Sequence, residues 1–284
     1  MNSLFAFPAP TPPFESHRFM LWHNGHWING IERGEGPPLL LIMGLGGSVD
    51  MWDTLIEHLP GRRVIAFDAP GTGVSSLPSR AVTVPELADL AVAVLDHHRI
   101  SSADILGFSY GGAIAQQVAI QHPGRVRGLV LAATTCGVGT LPAPNPAASS
   151  ALASPWRYYS PDYFKRTAAE VYGGEVGRNT GIRERLSRSR SIHPPHPYGY
   201  FLQLAGGAGW SSLQFLPDIE QPTLVLVGTE DPLVPVDAAR QLTDAIPHAQ
   251  LAVLNGSGHL LLLDEPARTA AIIDEFLSSG GQVT

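Results

Sequence analysis

Residues 104–112 read "DILGFSYGG": an apolar run, then a serine with one glycine two places before it and another two places after. A chain that passes from a strand straight into a helix must reverse within a few residues. The residue at the apex is then forced to positive φ, and its neighbours two places away must be tiny or their Cβ atoms collide. Gly107-x-Ser109-x-Gly111 meets that demand, between "DIL", which reads as a buried strand, and "GGAIAQQVAIQH", which reads as a helix. In this context the pattern is a nucleophile elbow. It lifts Ser109 Oγ clear of the chain and leaves the Tyr110 N–H at a helix N-terminus, where partial positive charge favours a developing oxyanion. G-x-S-x-G alone arises by chance, so its weight comes from the surrounding elements and from partners elsewhere in the chain.

Those elements alternate on both sides of the elbow. "HRFMLWHNGHWINGIERG" places two Asn-Gly turn signals between apolar runs and predicts short antiparallel strands. "LLLIM" (39–43) is wholly apolar, as in a strand covered on both faces. "SVDMWDTLIEHL" has helical spacing with Ser48 as predicted N-cap, and "RVIAFD" is the next strand. Thr83 and Glu86 form a capping box before a helix whose inner face carries Leu87, Leu90, Ala91, Val94 and Leu95. "VRGLVLAAT", "PTLVLVGTED" and "AQLAVLNGSGH" read as further strands, with a helix from Val236 to Ile246 and a last helix capped by Asp264. Strand–helix alternation of this kind predicts an α/β fold, a mostly parallel central sheet with helices on both faces.

The alternation breaks between Cys136 and Leu216. After a Pro/Ala/Ser-rich stretch come helical patterns only, the clearest being "SPDYFKRTAAEVYGG" with Ser160 as cap and Pro161 at the first position. The expected organisation is therefore a core over 1–135, with a proline-rich arm at 1–16, an inserted helical cap over 136–216, and the rest of the core over 217–284. The cap carries 8 Lys or Arg against 4 Asp or Glu, although the whole chain has a net charge of −7. A solvated arginine-rich helix face is the plain reading of that excess. Eleven aromatic residues fall in the cap, among them Trp156, Tyr158, Tyr172, Tyr200 and Trp210. They either pack the cap onto the sheet or line an apolar pocket over Ser109.

A serine hydroxyl needs a base to take its proton. Of eleven histidines, His259 stands in a Gly-rich loop after the last apolar strand, which opens on the same sheet edge as the elbow. His97, His98 and His122 sit at helix ends, where interaction with terminal carbonyls accounts for them. His193 and His196 in "HPPHP" lack further ligands, so no metal is expected. Asp231 in "VGTEDPLVP" follows a strand and would orient the imidazole, with Glu230 as its adjacent rival. Asp68 reads as shaping its own turn, and Asp104 lies before its strand, on the opposite edge. For a second oxyanion donor, the glycines of "MGLGGS" let backbone approach a ligand, and Leu45 N–H is the choice beside Tyr110 N–H.

Composition excludes other chemistries. With 44% hydrophobic and 15% charged residues the chain is globular, and its negative charge argues against nucleic-acid binding. Cys136 is the only cysteine, so no internal disulfide is possible and no cysteine-based zinc site is expected. The only lysine is Lys165, which leaves no P-loop or pyridoxal chemistry. The N-terminus lacks a signal-peptide pattern and no apolar run is long enough to span a bilayer, so a cytoplasmic location is expected.

The order Ser109, Asp231, His259 is that of the α/β hydrolases, which the chain resembles from Leu39 onward. More narrowly it is similar to the intracellular medium-chain-length polyhydroxyalkanoate depolymerases, through "FDAPGTGVSS", "ASPWRYYSPDYF", "VYGG", "LQLAGGAGWSSLQFL", "QPTLVLVGTEDPLVP" and "GSGHLLLL". The resemblance implies hydrolysis of polyester or oligomeric 3-hydroxyalkanoate esters by a Ser–His–Asp triad without a cofactor, with a polymer granule surface as a candidate partner. Two departures bear on the substrate: Tyr110 stands where that family often has Trp, and the proline-rich N-terminal arm does not belong to the resemblance. Met43-Gly44 stands where many α/β hydrolases have His-Gly, which a backbone donor tolerates. A small-molecule carboxylesterase or lactonase, a cofactor-free perhydrolase or haloperoxidase, and a C–C bond hydrolase would use the same triad. A non-catalytic receptor on this fold would bind an ester without turnover.

Overall fold

The computed structural model describes residues 17–143 and 145–281, so the proline-rich arm at 1–16 lies outside the described residues. The chain opens with β1 (His17–His23) and β2 (His26–Arg33), an antiparallel hairpin closed by Asn24 at φ 45° and Gly25 at φ 85°. These two positive φ angles suit the two-residue turn that follows the twist of the strands. The second Asn-Gly pair is not a turn. Asn29 and Gly30 lie inside β2, because the Asn29 side chain is buried and donates to Asp68 Oδ2 at 2.7 Å. A buried partner for the amide outweighs the local turn preference.

There follow β3 (Pro38–Ile42), a short helix α1 (Asp53–Ile56), β4 (Arg63–Phe67) and α2 (Val84–His97). Next come β5 (Ala103–Phe108), α3 (Tyr110–Gln121) and β6 (Val126–Ala132). After β6 the chain enters six helices: α4 (Pro146–Leu152), α5 (Trp156–Tyr159), α6 (Pro161–Tyr172), α7 (Gly174–Arg178), α8 (Thr180–Arg190) and α9 (Pro197–Gly207). It returns to the sheet with β7 (Thr223–Gly228), α10 (Val236–Ala245) and β8 (Ala249–Leu254), then α11 (Leu261–Asp264) and α12 (Pro266–Ser278).

The eight strands form one sheet in the order β1-β2-β4-β3-β5-β6-β7-β8, antiparallel at the β1–β2 and β2–β4 pairings and parallel elsewhere. Every residue of β5 and β7 is buried, which requires cover on both faces because successive side chains point opposite ways. The chain goes from β3 outward to β4 and then back to β5 on the other side. A crevice therefore opens beyond the carboxyl ends of β3 and β5, where such sheets bind ligands.

The capping box at α2 is present, with Thr83 Oγ1 accepting from Glu86 N–H and Glu86 from Thr83 N–H. Ser48 makes no side-chain cap bond. The Val49 N–H is taken instead by Asp68 Oδ1 at 2.8 Å, and Val74 N–H by Asp68 Oδ2 at 3.0 Å. Asp68 thus ties together β2, the segment after β3 and its own loop, and burial raises its carboxyl above the usual range despite those bonds. His97 and His98 do not serve helix-end carbonyls: both pack on the Phe19 ring, and His98 Nδ1 lies 3.1 Å from Glu32. His122 Nε2 pairs with Asp89 at 2.8 Å.

Asp264 is not the cap of the last helix. Glu265 holds the boundary and Pro266 starts α12, while Asp264 Oδ2 accepts the Val176 N–H of α7 at 3.2 Å. It therefore reaches from the core to the inserted helices. Its Oδ1 is buried without a partner, and burial pushes the carboxyl up to about 6. A raised carboxyl stabilises the fold while protonated, and that contribution is lost as the pH rises from the unfolded-state value near 4 through 6. Asp264→Asn keeps an acceptor for Val176 and removes the buried charge. Thermal melts should show the variant several degrees more stable at pH 8, on the order of 2–3 kcal/mol, with the gain shrinking steadily toward pH 4.

Candidate active site

Three carboxyl-edge loops meet in the crevice. At the elbow Ser109 has φ 54° and ψ −119°, a strained conformation for a residue with a side chain. It is held by Ser109 N–H to Ala132 O at 2.9 Å, Gly112 N–H to Ser109 O at 2.8 Å, and Thr134 Oγ1 to Ser109 O at 2.8 Å. A Cβ on Gly107 would lie 2.4 Å from the Gly111 carbonyl oxygen, as the spacing predicts. At Gly111 the obstacle is different: a Cβ there would meet the Ile42 carbonyl oxygen of β3 at 2.0 Å. The second glycine therefore lets the elbow close against the neighbouring strand.

His259 Nε2 stands 3.0 Å from Ser109 Oγ, and its Nδ1 stands 2.9 Å from Asp231 Oδ2. Asp231 is held by its other oxygen, which accepts from Leu233 N–H at 2.8 Å and Val234 N–H at 3.0 Å. An ionised carboxylate only accepts, so Nδ1 carries the proton and Nε2 is left as acceptor for the serine hydroxyl. His259 is 3% exposed and Asp231 7%. Glu230 points away: its half-exposed carboxylate pairs with Arg178. Of the two candidate acids, only Asp231 is brought to His259. Asp104 is at the far edge of the sheet, paired with Arg62 and Arg127.

Leu45 and Tyr110 both line the cavity above Ser109. As first residue of α3, Tyr110 has no carbonyl one turn back to receive its N–H. The Leu45 loop is pinned by the inserted helices. Tyr158 Oη donates to Leu45 O at 2.7 Å, and Gln203 Oε1 accepts from Gly46 N–H at 3.0 Å. The loop of His259 is pinned likewise, by His259 N–H to Tyr172 O at 2.7 Å, with the two rings stacked at 6.2 Å. None of these partners was legible in the sequence, because each bond joins residues more than 80 positions apart with no local spacing to mark it.

The cavity measures about 320 Å³, and its walls include Val84, Ala133, Leu152, Leu204, Trp210 and Val234. Among the cap aromatics only Trp210 borders it. Tyr158, Phe164, Tyr172 and Tyr200 are buried instead around the guanidinium groups of Arg157 and Arg190. Trp156, Tyr198 and Phe201 are more than half exposed. Apart from Tyr110 and Trp210, the apolar side chains of the cavity wall are aliphatic. His193 pairs with Asp50 at 2.7 Å and His196 accepts the Tyr198 N–H, so each has a protein partner. Among the described residues no group of three or more His, Cys, Asp or Glu could hold a metal ion, and no helix is long and apolar enough to cross a membrane.

A sequence model of the alpha/beta hydrolase fold matches residues 37–190 and 182–266. A poly(3-hydroxyalkanoate) depolymerase of Ectopseudomonas oleovorans is 39% identical over 246 residues, covering 86% of each chain. A 2-hydroxymuconate semialdehyde hydrolase of Pseudomonas sp. (strain CF600) is 32% identical over 259 residues, covering 87% of this chain and 89% of that one. Among solved structures, an N-acyl homoserine lactone degrading enzyme superposes with a TM-score of 0.77 at 27% identity, covering 90% of this chain and 99% of that one. With its strand order, its elbow and these relatives, the chain belongs to the α/β hydrolase family.

Proposed function

We propose that the protein is a serine ester hydrolase acting on medium-chain 3-hydroxyalkanoate esters, with Ser109 as nucleophile, His259 as general base and Asp231 as the orienting acid. The observation that carries this reading is the Ser109–His259–Asp231 hydrogen-bonded chain opening into an apolar cavity of about 320 Å³. His259 Nε2 takes the proton of Ser109 Oγ as the oxygen attacks the ester carbonyl. The N–H groups of Leu45 and Tyr110 hold the resulting oxyanion. Collapse expels the alcohol, protonated by His259, and leaves an acyl group on Ser109. A water deprotonated by His259 then releases the acid. No cofactor is needed. The 39% identical depolymerase supports the hydroxyalkanoate part of the reading. The buried, unpaired Cys136 suits the cytoplasmic setting we assign.

The cavity wall sets the expected selectivity. Each methylene buried contributes about 0.8 kcal/mol, so kcat/KM on p-nitrophenyl esters should climb with acyl length to a maximum near about six to ten carbons. Clearing of a medium-chain polyester emulsion would support the polymer as substrate. A monotonic fall from acetate, without clearing, would leave a small-ester or lactone hydrolase on the same triad.

A further inference from the structure

Ser109 also borders a second, small chamber of about 20 Å³, room for about one water-sized group such as a single carboxylate oxygen. Gly44, Leu45, Ser109 and His259 border it, and so do Arg157 and Arg190. Each of these arginines is 4% exposed. A buried cation ordinarily has a carboxylate beside it, because desolvation otherwise costs several kcal/mol. Here the partners are carbonyls and phenols. Arg157 Nη1 donates to Leu152 O at 2.7 Å and Ser154 O at 2.8 Å, and Arg190 Nη1 donates to Tyr172 Oη at 3.1 Å. The Nε of each is buried with no acceptor. Ring faces stabilise part of the charge: Arg157 lies 4.9 Å and 5.1 Å from the Tyr158 and Tyr200 centroids, and Arg190 lies 4.8–5.2 Å from those of Tyr158, Phe164 and Tyr172. Rings do not neutralise two charges. The basic excess of the inserted helices is thus not wholly a solvated face, for two of its arginines turn inward beside the nucleophile.

We infer that Arg157 and Arg190 form a carboxylate subsite for the substrate, one that selects esters whose free carboxylate lies a few bonds from the scissile carbonyl. The inference rests on the ester-hydrolase reading and specifies its substrate. A guanidinium pairs with a carboxylate through charge-assisted hydrogen bonds, and one carboxylate oxygen in the chamber supplies the negative charge that no ion pair among the described residues gives these arginines. Tyr172 links the subsite to the catalytic base, receiving the Arg190 bond on its hydroxyl and stacking on the His259 ring. The apolar cavity and the cationic chamber share Leu45, Ser109, Leu152 and His259, so the scissile bond sits between them. A molecule that is alkyl on one side and carboxylate on the other is the carboxyl end of an oligomeric hydroxy acid. The protein then removes units from that end of short oligomers rather than cutting within a polymer chain.

The test compares the dimer of 3-hydroxyoctanoate bearing a free carboxylate with the same dimer capped as its carboxamide. Wild type, Arg190→Gln, Arg157→Gln and Arg190→Lys are assayed on both, with p-nitrophenyl octanoate alongside. The readout is the ratio of kcat/KM for free acid to amide within each protein, so a loss of folded enzyme cancels. In wild type the ratio should be at least about tenfold, the scale of a charge-assisted hydrogen bond. It should fall toward one in both Gln variants and be partly kept in Arg190→Lys. A wild-type ratio of one or less, with p-nitrophenyl octanoate turned over normally, overturns the subsite and leaves the ester hydrolase standing. Failure on p-nitrophenyl octanoate and both dimers overturns the ester-hydrolase reading itself.

Discussion

Ser109→Ala should abolish ester turnover, by roughly three orders of magnitude or more, and leave the fold intact. The expectation of an intact fold follows from the elbow. Alanine has the same Cβ as serine, so the cost of φ 54° does not change, and the bonds that fix the turn are made by the Ser109 backbone. Only the Oγ is lost, together with its 3.0 Å contact to His259 Nε2. Circular dichroism and melting temperature should match wild type while kcat/KM on p-nitrophenyl octanoate vanishes. A folded variant that retained substantial activity would remove Ser109 from the mechanism.

Asp231→Asn should lower kcat by about 10³ to 10⁴ with little change in KM. An amide in place of the carboxylate can offer its NH₂ to Nδ1. That favours the tautomer with the proton on Nε2, which cannot receive one from serine. Asp231 does not border the apolar cavity, so binding is spared. The paired variant Glu230→Gln should be close to normal, because Glu230 faces Arg178 at the surface. If the Glu230 variant were the crippled one, the orienting acid would be misassigned.

The sequence carried the alternation of strands and helices, the elbow and its partners because each depends on local chemistry. Gly-x-Ser-x-Gly, a capping box and an apolar run are all readable within a dozen residues. Its failures share a cause. Asn29-Gly30 looked like a turn and Asp264 like a cap, yet each side chain has its partner in a distant segment, Asp68 in one case and Val176 in the other. The cap aromatics are open between packing and pocket in the sequence, and four of the eleven enclose two arginines. Composition could count eleven rings and an excess of positive charge. It could not say that the two would be folded onto each other.

The bonds from Tyr158, Gln203 and the Tyr172 carbonyl to the loops of Leu45, Gly46 and His259 bear on how this protein can be re-engineered. An inserted helical unit invites exchange between relatives, as a way to graft a new preference onto an unchanged catalytic core. Here the two are not modular. A transplanted segment lacking those three contacts would bring its own pocket wall and at the same time slacken the loops that hold the reacting groups in place. Chimeras of this scaffold should therefore be cut so that the insertion travels with the loops after β3 and β8, as one inherited block.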